Sequence, residues 1–145
     1  MTYDPFPPLP ADVHEYLLAV IEEGGPLPWD LGAIPTSLAD SVLPWLATVV
    51  RWLNTTYAWQ PHQLIPPCWR QHDHLTYELA ALAFARTDAY RDPGAVPMWR
   101  EQYDRFLSRT ATSLGANADQ CRMGRHQDRP ARYHLAVWPD EPSTS

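Results

Sequence analysis

The sequence predicts an all-α fold: a compact bundle of about four helices with Pro-rich loops and an irregular C-terminal arm. Three observations carry that expectation. Four stretches repeat apolar residues at helical spacing. Fifteen of the sixteen prolines cluster between or at the edges of those stretches, at 5–10, 26–35, 61–67, 93–97 and 130–142, where they stiffen loops. Period-two alternation is confined to a weak trace at Tyr133–Trp138. Residues 1–139 are expected to form a single helical domain and 140–145 a flexible tail.

The first helix is expected from about Asp12 to Glu23, with Asp12 and Glu15 resembling a capping box and Gly24-Gly25 ending it. Its stripe is Val13, Tyr16, Leu17, Val20 and Ile21, facing away from His14, Glu15, Glu22 and Glu23. The second helix runs from about Leu38 to Tyr57, with Ser37 and Asp40 offering a cap. Leu38, Val42, Trp45, Leu46, Val49, Val50, Trp52, Leu53 and Tyr57 cover more than half its circumference, the pattern of a central, buried helix. Pro44 must either kink that helix or mark its true start.

The third helix begins at Pro67 or Asp73 and reaches Ala89, with Leu75, Leu79, Leu82 and Ala83 as its stripe. Glu78, Arg86, Asp88 and Arg91 lie off that stripe. An early start would put Cys68 in the first turn, where the helix dipole favours a thiolate. Asp92-Pro93-Gly94 reads as a turn. The fourth helix spans about Val96 to Ser113, with Trp99, Tyr103, Phe106 and Thr110 facing in. Arg100–Asp104 and Glu101–Arg105 are opposite-charge pairs four apart on its outer side. From Leu114 onward periodicity is lost, and the arm is expected to begin.

The chemistry rests on two cysteines, each followed closely by a histidine: Cys68 with His72, and Cys121 with His126. Thiolate and imidazole are preferred Zn²⁺ ligands, and two such pairs make one closed tetrahedral site. Zinc there would tie the arm to the start of the third helix. The competing readings are a buried Cys68 with an exposed loop Cys121, or a disulfide or redox pair. Cys68 as a nucleophile would need His72 or His74 as base and Asp73 or Glu78 to orient it. One helical turn gathers those residues whatever their role, so that proximity is not diagnostic. His72-Asp73-His74 would diverge on a helix and so make a poor metal pair. The chain contains no Gly-rich phosphate loop, metalloprotease helix or G-x-S-x-G elbow.

Positions 66–139 carry a resemblance. Pro-Pro-Cys68-Trp69-Arg70-Gln71-His72, Glu78-Leu79-Ala80-Ala81-Leu82, Trp99-Arg100 with Asp104, and Cys121 with Arg125-His126 resemble a domain of unknown function. That domain is common in actinobacterial plasmids, integrative conjugative elements and phages. The chain departs from it around Cys68: relatives place the cysteine earlier and carry proline where Asp73 stands here. That difference favours a third helix starting at Asp73, with Cys68 in the preceding loop. The resemblance implies a mobile-element origin and no particular activity.

Charge narrows the partners. All eleven basic residues are arginine, as a GC-rich coding sequence would favour, and the formal net charge is −6. Seven acids precede Arg51, whereas 122–132 is locally basic through Arg122, Arg125, Arg129 and Arg132. Such a body argues against general nucleic-acid binding, though not against a local phosphate contact. The N-terminus lacks a basic, then apolar, leader, and Ser41–Val50 is half a membrane span, so a cytoplasmic location without membrane contact is expected. In that compartment lone cysteines are thiols or ligands more often than disulfides.

The function expected is that of a non-enzymatic accessory protein of a mobile element, acting through protein–protein interaction with zinc as a structural cofactor. Trp29, Trp59, Trp69 and Trp138 sit in Pro-rich connectors, and with the four arginines of 122–132 they are the candidate partner-binding residues. Such tryptophans also serve simply to pin loops to a body. The alternatives are a DNA-associated regulator using 122–132, and a cysteine- or metal-dependent hydrolase built around Cys68 and His72.

Overall fold

Proline, rather than a side-chain cap, starts the first two helices of the structure, a computed structural model that describes residues 2–127. Helix α1 is Ala11–Glu23 with Pro10 at its N-cap, and α2 is Thr36–Tyr57 with Pro35 there. A proline ring fixes φ near its helical value, so the turn is preset without a capping hydroxyl or carboxylate. The expected capping box is therefore not made. The Asp12 carboxylate instead accepts a hydrogen bond from Ser41 Oγ, joining α1 to α2. Gly24, at φ 80°, ends α1 and donates its N–H to the Val20 carbonyl at 2.8 Å.

Pro44 lies inside α2 rather than at its start. Leu38, Val42, Trp45, Leu46, Val49, Val50 and Leu53 are all buried along it, as a central helix requires. Helix α3 is Asp73–Ala89 and α4 is Val96–Leu114. Helix α1 packs on α2, and α3 packs on both α2 and α4. Tyr103, Phe106, Leu46, Leu53, Leu75 and Leu79 are among the fully buried side chains of one continuous core. Trp99 Nε1 donates to the Leu82 carbonyl at 2.9 Å, so α4 is pinned to α3 by a directed bond as well as by packing. The outer pairs form as expected, Arg100–Asp104 at 2.5 Å and Arg105–Glu101 at 3.9 Å.

The proline-rich N-terminal segment is strapped across the bundle by tryptophan. Trp45 Nε1 donates to the Pro7 carbonyl at 3.1 Å and Trp52 Nε1 to the Asp4 carbonyl at 3.0 Å. Phe6 meets Trp52 edge-on at 5.2 Å. Arg86, expected off the apolar stripe, is drawn into this seam. Its guanidinium carbon lies 3.3 Å from the Tyr90 ring centroid, 4.5 Å from Phe6 and 5.3 Å from Trp52. A flat cation can bury against ring faces where an ammonium would not.

Helicity also runs past Leu114. Gly115, at φ 58°, breaks α4, and a 3-10 turn (Gly115–Asn117) leads into the short helix α5, Ala118–Arg122. The expected irregular arm thus begins later than Leu114. The reason is a short apolar repeat, Leu114, Ala118 and Cys121, which buries beside Cys68. The trace at Tyr133–Trp138 and the tail 140–145 lie outside the described residues. Within those described, four helices pack together, there is no strand, and no helix is long and apolar enough to cross a membrane.

Candidate metal centre

The late start of α3 puts Cys68 and His72 just ahead of it. Cys68 heads a single 3-10 turn, Trp69–Gln71, and His72 is the extended residue (φ −117°, ψ 101°) from which α3 departs. Two contacts fix this approach. The Asn54 side chain brackets Ile65, accepting its N–H at 2.8 Å and donating to its carbonyl at 3.2 Å. Trp69 is 4% exposed and anchors the turn in the core, while Thr76 Oγ1 donates back to its carbonyl at 3.2 Å. Cys121 arrives from the other side on α5, and His126 follows shortly after it.

The four candidate ligands meet. One ligand atom from each of Cys68, His72, Cys121 and His126 lies within 4.8 Å of the other three. His72 Nε2 is 3.4 Å from Cys68 Sγ and 3.9 Å from Cys121 Sγ, and the His72 and His126 rings are 4.8 Å apart between centroids. A tetrahedron with Zn–S near 2.3 Å and Zn–N near 2.0–2.1 Å has edges of roughly 3.3–3.8 Å. The shortest observed separation, 3.4 Å, already lies in that range, and the longest, up to 4.8 Å, must contract by about 1 Å to reach it. Cys68, His72 and Cys121 are buried and His126 is partly so. Leu114 and Ala118 close the cluster from behind. The sequence reading missed those two residues, although their spacing with Cys121 was visible.

Both cysteines are free thiols. Burial, and then the neighbouring Cys121 thiol, push Cys68 up to about 11, so without a metal it keeps its proton at neutral pH. Two soft thiols with two imidazoles, withdrawn from water, are a donor set suited to zinc. Four protein ligands fill a tetrahedron and leave no position for substrate, which is the arrangement of a structural site. His74 does not join them: its Nε2 lies 2.9 Å from Ser113 Oγ on α4, at the exposed edge. His72 and His74 therefore serve different neighbours, His72 standing ahead of α3 and His74 on its first turn.

The remaining candidates are scattered. Trp69 is a core residue, Trp29 is half-buried against Phe84 at 5.6 Å, and Trp59 is 84% exposed. These three do not make one patch, because each follows the packing of its own connector. In the basic segment, the Arg122 side chain is only 7% exposed and reaches Asp119 at 3.2 Å, while Arg125 is exposed. Trp138, Arg129 and Arg132 lie outside the described residues. No family model, curated protein or solved structure matches this chain.

Proposed function

We propose that this protein is a non-catalytic helical module stapled by one structural Zn²⁺ at Cys68, His72, Cys121 and His126. We further propose that it works in the cytoplasm as an accessory protein of a mobile element by binding another protein. One observation carries the metal reading: ligand atoms from two distant stretches of chain converge, buried, within 4.8 Å. Zinc, when bound there, supplies coordinate bonds that hold α5 against the turn preceding α3. The residues do the rest. Trp69 and Asn54 fix one half of the cradle, and the Gly115 break aims the other half at it.

The closed ligand set supports a structural rather than a catalytic centre, since catalytic zinc keeps an open position. The mobile-element reading rests on the motif resemblance and the arginine-only composition. Metal analysis of the purified protein tests the staple: one zinc per chain, with melting sensitive to a chelator, is the expected result. Stable co-purification of a protein partner from the host tests the second half.

A further inference from the structure

We propose that the aromatic seam of α2 and α3 beneath residues 4–9 is a recognition groove for an extended, proline-rich segment of a partner protein. The chain's own N-terminal segment fills that groove in the partner's absence. This rests on the reading that the protein works by binding another protein, and it names the surface and the partner's chemistry. The shape of the ligand is visible because the chain supplies one. Every residue from Asp4 to Pro10 is a proline or stands immediately before one. Proline fixes φ near about −65° and disfavours the helical region for the residue before it, so the segment is biased toward polyproline II. It forms neither helix nor strand, and Pro10 has φ −56° and ψ 147°.

Two indoles on α2 read the polyproline repeat. Trp52 Nε1 donates to the Asp4 carbonyl at 3.0 Å and Trp45 Nε1 to the Pro7 carbonyl at 3.1 Å. Asp4 and Pro7 are one polyproline turn apart, about 9 Å. Trp45 and Trp52 are two turns apart on α2, about 10.5 Å along its axis. The two spacings agree, with the segment running antiparallel to α2. Both bonds go to main-chain carbonyls, which any segment of this shape presents to an aromatic groove. Selectivity falls to the side chain between them: Phe6 meets Trp52 edge-on and lies beside the guanidinium of Arg86.

The built-in segment is a loose occupant. None of residues 2–10 is buried, and Tyr3 is 90% exposed. A cavity of about 180 Å³ remains where Asp4 and Pro7 face Thr48, Thr55 and Thr56 of α2. Arg86 Nε, in the wall that Phe6 covers, is buried without a hydrogen-bond partner among the described residues. A foreign segment competes with one tethered at an effective concentration of about millimolar, so it must offer an additional contact. An acceptor for Arg86 Nε is such a contact, and only a ligand that displaces Phe6 can reach it. A second copy brings the same segment without the tether and gains nothing by exchange. The partner's segment is therefore Pro-aromatic-Pro with a polar acceptor beside the aromatic ring.

The test uses the full-length, metal-loaded protein and a fluorescent peptide with the sequence of residues 2–10, with a control peptide whose prolines are replaced by alanine. Phe6→Ser/Pro7→Gly loosens the chain's own segment. Anisotropy is expected to show saturable one-to-one binding to this variant, at least about tenfold tighter than to wild type. Adding Trp45→Phe/Trp52→Phe keeps aromatic rings but removes both indole donors, and is expected to weaken binding at least about tenfold. Wild type gives a readout independent of the variants. Its Trp45 and Trp52 indole N–H signals in NMR spectra should move with peptide at about millimolar concentration, whereas that of exposed Trp59 should not. Equal affinity for wild type and the loosened variant, equal binding of the alanine peptide, or indole signals that stay in place would overturn the groove. So would a wild-type dimer that the peptide dissociates, since it would give the groove to a second copy. A host partner retained equally by wild type and Trp45→Phe/Trp52→Phe would also overturn the groove, while leaving the broader protein-binding reading in place. Groove-dependent peptide binding with no host partner recovered would support the groove and count against that broader reading.

Discussion

His72 Nε2 lies 3.9 Å from Cys121 Sγ across 49 positions of chain, while also standing 3.4 Å from Cys68 Sγ. The two Cys–His pairs are expected from the sequence to form one site, and the structure places His72 Nε2 within reach of both sulfurs, so the two halves of the site share a ligand environment. Replacing His72 by Ala should therefore lower zinc affinity by more than the roughly 10–100-fold that outer-shell changes cost. It should also destabilise the metal-free protein, because His72 is only 6% exposed and its loss leaves a void. His126→Ala should lose metal affinity with a smaller effect on the metal-free protein. Competition with a chromogenic zinc chelator, together with thermal melts, reads both quantities.

Stability should respond to pH with opposite signs in the two forms. In the metal-free form Cys68 is raised from 9.0 to about 11, so the folded chain holds a proton that the unfolded chain releases. That contribution is fully present below about pH 9 and is lost as pH rises toward about 11. Zinc-loaded protein should instead gain stability as pH rises, because binding releases the protons that its ligands hold in the metal-free form. Urea titrations of both forms at several pH values would show whether the slopes differ in sign.

Helix positions and the central role of α2 were legible because they depend on local periodicity, which Leu38 through Leu53 display plainly. The helix starts were less so. Pro10 and Pro35 set the first turns by ring geometry, which left Asp12 free to bind Ser41 instead of capping. The ligand types were readable from two Cys–His pairs, and the Asp73 start of α3 followed from the motif departure at that position. The ligands' convergence on one site was an expectation from ligand type; how the chain achieves it was not readable, since it depends on Gly115 turning the chain and on Ala118 and Cys121 burying beside Cys68. Arg86 was invisible for a related reason: its ring partners Phe6, Trp52 and Tyr90 come from three separate segments.

Arg86→Ala should destabilise the fold by about 1–2 kcal/mol, combining lost ring contacts with lost packing. Arg86→Lys should recover only part of that, because an ammonium is more strongly hydrated and lacks the flat stacking face. Burial already lowers the tendency of Arg86 to stay charged, although Tyr90 and Tyr57 partly offset this. Equal stability of the lysine variant and wild type in urea would contradict the cage.

Tyr103→Phe should leave stability unchanged or raise it by up to about 1 kcal/mol. Its ring is fully buried and stacks on Trp99 at 5.6 Å, yet its hydroxyl has no hydrogen-bond partner among the described residues. Phenylalanine keeps the stack and removes the orphaned group. A loss above about 1 kcal/mol would mean that the hydroxyl is satisfied in solution.

The most direct measurement is metal content, taken by mass spectrometry on native protein purified without added metal or chelator. The account predicts one zinc per chain in wild type, none in Cys121→Ser, and a melting temperature for that variant equal to that of chelator-stripped wild type. Metal-free wild type that melts unchanged in the presence of chelator, or a Cys68–Cys121 disulfide in its place, would contradict it.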